Sequence, residues 1–158
     1  MPFNIISVLV ASLITLLIGF VWFNPKVFGT IWMTELGITK DQAKPKNLSK
    51  IIGLTVVFSL MIAFTVPGFV IHQLGALQMA GSNLQDEAFL AYMKVHGNAF
   101  RTVKHGALHG LLCGLFFVFP ILAINAMLEH RSWKYLFVTA GYWIVTLLVM
   151  GAIICGWP

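Results

Sequence analysis

The amino-acid sequence predicts an all-α, polytopic membrane protein: four transmembrane helices with short interfacial helices in the connections. Three observations carry this. Of the 158 residues, 59% are hydrophobic and only 9% charged, with a mean hydropathy of +0.89, too little charge to cover a water-soluble domain. Four apolar segments reach the length of about 20 residues that a helix needs to cross a bilayer. The period-two alternation of a membrane barrel is missing, and lipid leaves an isolated strand with unpaired backbone groups. The chain therefore reads as a single four-helix transmembrane domain over 1–158.

The first span is Phe3 to Phe23. It lacks a basic leading region and runs on into FVWFNPKVFG rather than a small-residue cleavage site, so it reads as a retained span. In the connection that follows, Val27, Phe28, Ile31, Trp32 and Leu36 form one helical stripe with Lys26 and Glu35 off it. That is the pattern of a short helix in the headgroup plane, stopped by Gly37. Thr39 with Gln42 then resembles a capping box. The second span runs from Ile51 to Leu74, with Pro67 near mid-membrane. Its connection offers Ser82 or Asn83 as helix caps, Asp86 and Glu87 in the first turn, and Leu84, Phe89, Tyr92 and Met93 for an interface. The third span covers about His105 to Leu128 and contains Pro120; the fourth is Tyr135 to Trp157. Each proline removes a backbone donor and should kink its helix. Kinks in a structural bundle are the plainer reading, and matched kinks lining a cavity the alternative.

Orientation follows the basic residues. Lys26, Lys40, Lys44, Lys46 and Lys50 lie in the first connection, Arg131 and Lys134 in the third, and Lys94, Arg101 and Lys104 on the opposite side. Seven against three places the first and third connections in the cytoplasm and both termini outside, the Met1–Pro2 tail carrying no charged side chain to resist translocation. Trp22, Trp32 and Trp133 fall near membrane edges, where amphipathic rings anchor. The net charge of +5 is explained by this topology, and with no basic patch interleaved with aromatics, nucleic acid is not an expected partner. Cys113 and Cys155 both sit in apolar runs and read as buried small hydrophobes.

Chemistry concentrates in KHGALHGLLCG, Lys104 to Gly114. His105 and His109 project from one helix face, a turn apart, and imidazoles so placed can share a metal ion. Such an ion needs further ligands. His72 and His96 lie on the same side of the bilayer, whereas Glu129 is about 30 Å from His109 along a straight helix. The pair cannot sandwich one haem, whose axial ligands approach from opposite faces, although each histidine can serve a separate haem. The competing readings are a polar tip reaching water, a proton relay, and a helix end dominated by close packing. Gly106, Gly110 and Gly114 form a small-residue stripe that lets another helix approach. Asn125 is the strongly polar residue inside the third span, a candidate for an interhelical hydrogen bond, and Glu129 closes that helix against its dipole. Ser12, Thr15, Thr55, Ser59 and Thr65 are expected to bond backbone carbonyls, and no catalytic constellation is visible.

The stretches IGFVWFNPKVFGTIWMTELGIT, HGALHG and NAMLEHRSWKYLFVTAGYWIV followed by MGAII resemble the domain of unknown function 1761 family, over nearly the whole chain. The most specific part is W-F-N-P-x-x-F-G-x-x-W, Trp22 to Trp32. The resemblance implies a compact, chiefly bacterial, helical membrane protein, hence the inner (plasma) membrane, and supplies no substrate or reaction. The leading expectation is a non-enzymatic accessory or scaffold component, packing as a homo-oligomer or within a larger membrane complex. The alternatives are a small transporter or channel with Asn125 on a path along the second and third helices, and a metal- or haem-binding protein using His105 and His109.

Overall fold

The computed structural model describes residues 3–157, which are overwhelmingly helical, with no strand among them. In chain order the helices are α1 (Ile5–Ser12), α2 (Ile14–Trp22), α3 (Thr30–Leu36), α4 (Lys40–Ala43), α5 (Leu48–Val70), α6 (His72–Met79), α7 (Glu87–His96), α8 (Val103–Cys113), α9 (Phe119–Leu128) and α10 (Trp133–Gly156). Five-residue π turns, Pro25–Gly29 and Gly114–Val118, precede α3 and α9. Four stretches are long and apolar enough to cross a membrane: Ile5–Trp22, Leu48–Val70, Val103–Leu128 and Trp133–Gly156. The Met1–Pro2 tail used in the topology argument lies outside the described residues.

The first connection follows its sequence signals closely. Gly37 closes α3 in the left-handed region at φ 69°, where a side chain would be strained. Thr39 and Gln42 form a reciprocal capping box, the Thr39 hydroxyl accepting from the Gln42 amide and the Gln42 side chain accepting from the Thr39 amide. α3 is not free on the surface. It docks on α10, with the Ser132 hydroxyl donating to Glu35 and the Trp32 ring 5.4 Å from Phe23.

The second span departs from expectation. α5 ends at Val70 rather than Leu74, and Pro67 lies in its last turn rather than near mid-membrane. Ile71 is extended (φ −119°, ψ 101°) and α6 starts anew at His72. Consecutive residues on a helix face about 100° apart; leaving the helix here lets both Val70 and Ile71 be buried. The cap of α7 is Asp86, accepting from the Phe89 amide at 2.9 Å. Ser82 instead takes a positive φ of 63°, and Asn83 spends its side chain on the amide of Gln85 at 3.0 Å. At Pro120 the missing donor is absorbed by the π turn before it, where the Phe119 amide reaches back to Gly114.

α10 is the axis of the bundle: 44% of its best apolar window is buried, against 11% for the α8–α9 span. Val8, Ala11, Ala63, Val66 and Val70 of α1 and α5 surround Met150 and Ile154 on one side of it. On the other side α8 runs antiparallel to α10 along a seam of glycines. A Cβ on Gly106 would strike the Gly151 carbonyl oxygen, one on Gly110 the Leu147 carbonyl oxygen, and one on Gly114 would lie 2.8 Å from Ile144 Cα. Backbone thus packs on backbone, the van der Waals arrangement that associates helices in lipid.

Candidate metal centre

The site begins with the chain break at Ile71. The Val70 carbonyl and the Phe100 carbonyl each accept the Cys155 thiol at 3.3 Å, tying the end of α5 and the start of the third span to the end of α10. The turn carries His72 to the mouth of α8. There Thr102 caps the helix, its hydroxyl accepting from the His105 amide at 3.2 Å. Helical spacing then stacks His109 one turn above His105, with ring centroids 4.3 Å apart.

Three imidazoles converge. His72 lies 4.9 Å from His105 and 5.4 Å from His109 between ring centroids. The Nε2 atoms of His72 and His105 are 3.0 Å apart, so one ring donates and the other accepts. One ligand nitrogen from each of the three falls within 4.8 Å of the others. Phe100, held at φ 62°, sets its ring against His72 and His105 at 5.5 and 5.2 Å. His72 is exposed and the other two are half-buried, so the cluster opens to solvent at His72.

The surroundings fix this arrangement. Arg101 donates to the Cys155 carbonyl at 3.2 Å and to the Trp157 carbonyl at 3.4 Å, capping the end of α10 with a cation. Burial lowers the pKa of its guanidinium. Gln73, fully buried beside His72, donates from Nε2 to the carbonyls of His96 at 2.7 Å and Ala99 at 2.9 Å.

An ion bound at about 2.0–2.1 Å by imidazoles in tetrahedral geometry separates neighbouring nitrogens by about 3.3 Å. The 3.0 Å between His72 and His105 is close to that, and the third nitrogen lies within 4.8 Å of the others. The donors are three imidazoles without carboxylate or thiolate, a set suited to zinc, copper, nickel or cobalt and unsuited to calcium or magnesium. A fourth position stays open towards solvent. Rings 4.3–5.4 Å apart leave no space for a porphyrin between them.

The other sequence candidates lie elsewhere. His96 packs on Tyr92 at 5.1 Å and stays out of the cluster. Asn125 is on the exposed side of α9 rather than between helices, and its backbone carbonyl accepts from the Glu129 amide at 2.9 Å. Glu129 is exposed and 3.6 Å from Arg131. Beside Arg131 a cavity of about 60 Å³ lies between Ala123, Met127, Trp133 and Leu136, room for water only. Trp22 turns inward, donating to the Val138 carbonyl at 2.9 Å, Trp32 is half-buried, and Trp133 is exposed. Ser12 and Thr65 bond the carbonyls of Leu9 and Ile62. Thr15 Oγ1 and Ser59 Oγ are buried without a hydrogen-bond partner among the described residues. Sequence reasoning missed Phe100 and the Ile71 break; Thr102, a threonine just ahead of an apolar run, was the legible signal for where α8 starts.

A family model described as "Protein of unknown function (DUF1761)" matches residues 6–155. No curated protein and no solved structure matches the chain.

Proposed function

We propose, for a chain that belongs to the DUF1761 family of proteins of unknown function, that it is a multi-pass membrane protein binding one transition-metal cation through His72, His105 and His109. The observation that carries this reading is the convergence of three imidazoles from two separate chain segments on one point. Three histidine rings gathered at an opening to solvent serve no packing need that apolar side chains would not meet as well. Coordination gives those nitrogens a purpose. By the distribution of Lys and Arg, the site faces away from the cytoplasm, on the side of the second connection and the C-terminus of α10. In a bacterial cell that is the outer face of the inner membrane.

A role as an accessory or scaffold component, in a homo-oligomer or a larger complex, draws on the exposed apolar face of α9 at Ile121 and Ile124. Lipid covers such a face equally well, and the glycine stripe is occupied within the chain by α10. A transport path along the second and third spans loses its polar residue, because Asn125 points outward.

The test is metal uptake by the purified, chelator-stripped protein. We expect one Zn²⁺ or Cu²⁺ per chain, and an affinity more than about 100-fold weaker in His109→Ala, a loss beyond that of a supporting residue alone. Absence of uptake, or uptake unchanged in the His105→Ala/His109→Ala double variant, refutes the reading.

A further inference from the structure

Resting on that reading, we infer that the bound ion acts as a latch: it fastens the connection between the second and third spans, residues 72–102, to the membrane bundle, so that the folding of this external face depends on metal occupancy.

The connection is built as one body on a hinge. Ile71 is extended and separates α6 from α5. α6 has 8 residues, too few to hold a helix unaided. The Gln73 amide binds the carbonyls of His96 and Ala99, so α6 and the link into α8 move together. Gln73 Oε1 is buried with no partner among the described residues, a desolvation cost charged to the docked state. His72 is the member of this body that meets the α8 imidazoles. Without metal the meeting is one exposed imidazole-to-imidazole hydrogen bond, an interaction of small net value in contact with water.

On the other side of the contact the site is immobile. His105 and His109 sit on α8, whose glycines lie on the α10 backbone. The far end of the connection is already tied to α10 through Arg101 and the Phe100 carbonyl, so an ion shared by His72 and the α8 pair fastens the remaining, hinged end at α6 to a rigid body. It binds only when the connection is docked, because His72 leaves with α6. Linkage then requires that occupancy suppress opening by a factor of one plus the ratio of free metal to its dissociation constant. From a neutral pair no net proton is released: the ring that donates through Nε2 must shift that proton to its own Nδ1, which frees both Nε2 lone pairs for the ion and leaves each ring with one proton, on Nδ1.

Hydrogen exchange followed by mass spectrometry, on the full chain in lipid nanodiscs, reads this directly when metal content is measured on the same samples. With Zn²⁺ at 100 times its dissociation constant, exchange across residues 72–100 should slow about 100-fold while peptides from α10 are unchanged. Mg²⁺ should have no effect. His109→Ala should lose the response to Zn²⁺. If the wild type binds Zn²⁺ and exchange over 72–100 stays the same, or slows equally everywhere, the latch is wrong and metal binding stands. If no Zn²⁺ is retained, both fall together.

Discussion

The corner at Trp22–Trp32 and the mouth at Phe100–His109 both pack on α10, near its opposite ends, and both carry a dense sequence motif. They differ in how far packing accounts for them. At the corner every motif position has a structural task. Trp22 lies over Gly141 and bonds the Val138 carbonyl. Phe28 packs on Trp22 at 4.5 Å, and Phe23 on Tyr142 at 5.2 Å. Asn24 caps the π turn by accepting from the Lys26 amide, Pro25 opens it where no donor is required, and Gly29 leaves space for the Phe23 carbonyl. At the mouth, packing explains the glycines and Thr102 but leaves the three histidines over. A motif wholly absorbed by packing describes a fold; the unabsorbed remainder of a motif points to chemistry. On α8 the two occupy adjacent faces, and the glycine seam holds the imidazoles in place.

Substitutions sharpen that contrast. The largest effect should come from Gly29→Val: its side chain has nowhere to go but the Phe23 carbonyl, a backbone collision that a rotamer cannot relieve. We expect a loss of about 3 kcal/mol or more, seen as failure of folded protein to accumulate in membranes. Next is the pH response of the mouth. Imidazolium has no lone pair for a metal, so affinity should fall at least about tenfold per pH unit once the medium is acidic enough to protonate the ligands. Competition titration with a chromophoric chelator measures this, and a flat profile down to pH 5 counts against histidine ligation. Trp22→Phe keeps the ring packing and deletes the bond to Val138, costing about 1 kcal/mol, or about 2–4 °C in thermal midpoint for a chain of this size. Smallest is His109→Ala in the absence of metal, expected to move stability by less than about 0.5 kcal/mol. A large destabilisation there would show that the histidines, like the corner, are structural after all.

Much of the fold was legible because lipid imposes a strong pattern. Four spans follow from length and hydropathy, and Gly37 and the Thr39–Gln42 pair announce local geometry that hardly depends on the rest of the chain. The break at Ile71 was not placed from sequence, because the Pro67–Gly68 pair falls within the last turn of α5 and not at the break itself, where Val70 and Ile71 are both buried. The cap of α7 was ambiguous among Ser82, Asn83 and Asp86, and Asn83 was consumed by a tight turn of its own. For the site, spacing displayed His105 and His109 and membrane sidedness brought in His72 and His96. Only tertiary structure separates those two: His72 turns into the cluster from the restarted helix, while His96 faces Tyr92.

The central claim is that three imidazoles from two segments share one ion. X-ray absorption at the metal edge of the Zn²⁺-loaded protein tests it most directly. The account predicts about three imidazole nitrogens at about 2.0–2.1 Å with a water-like oxygen completing the shell; a shell of oxygen or sulfur alone would contradict it.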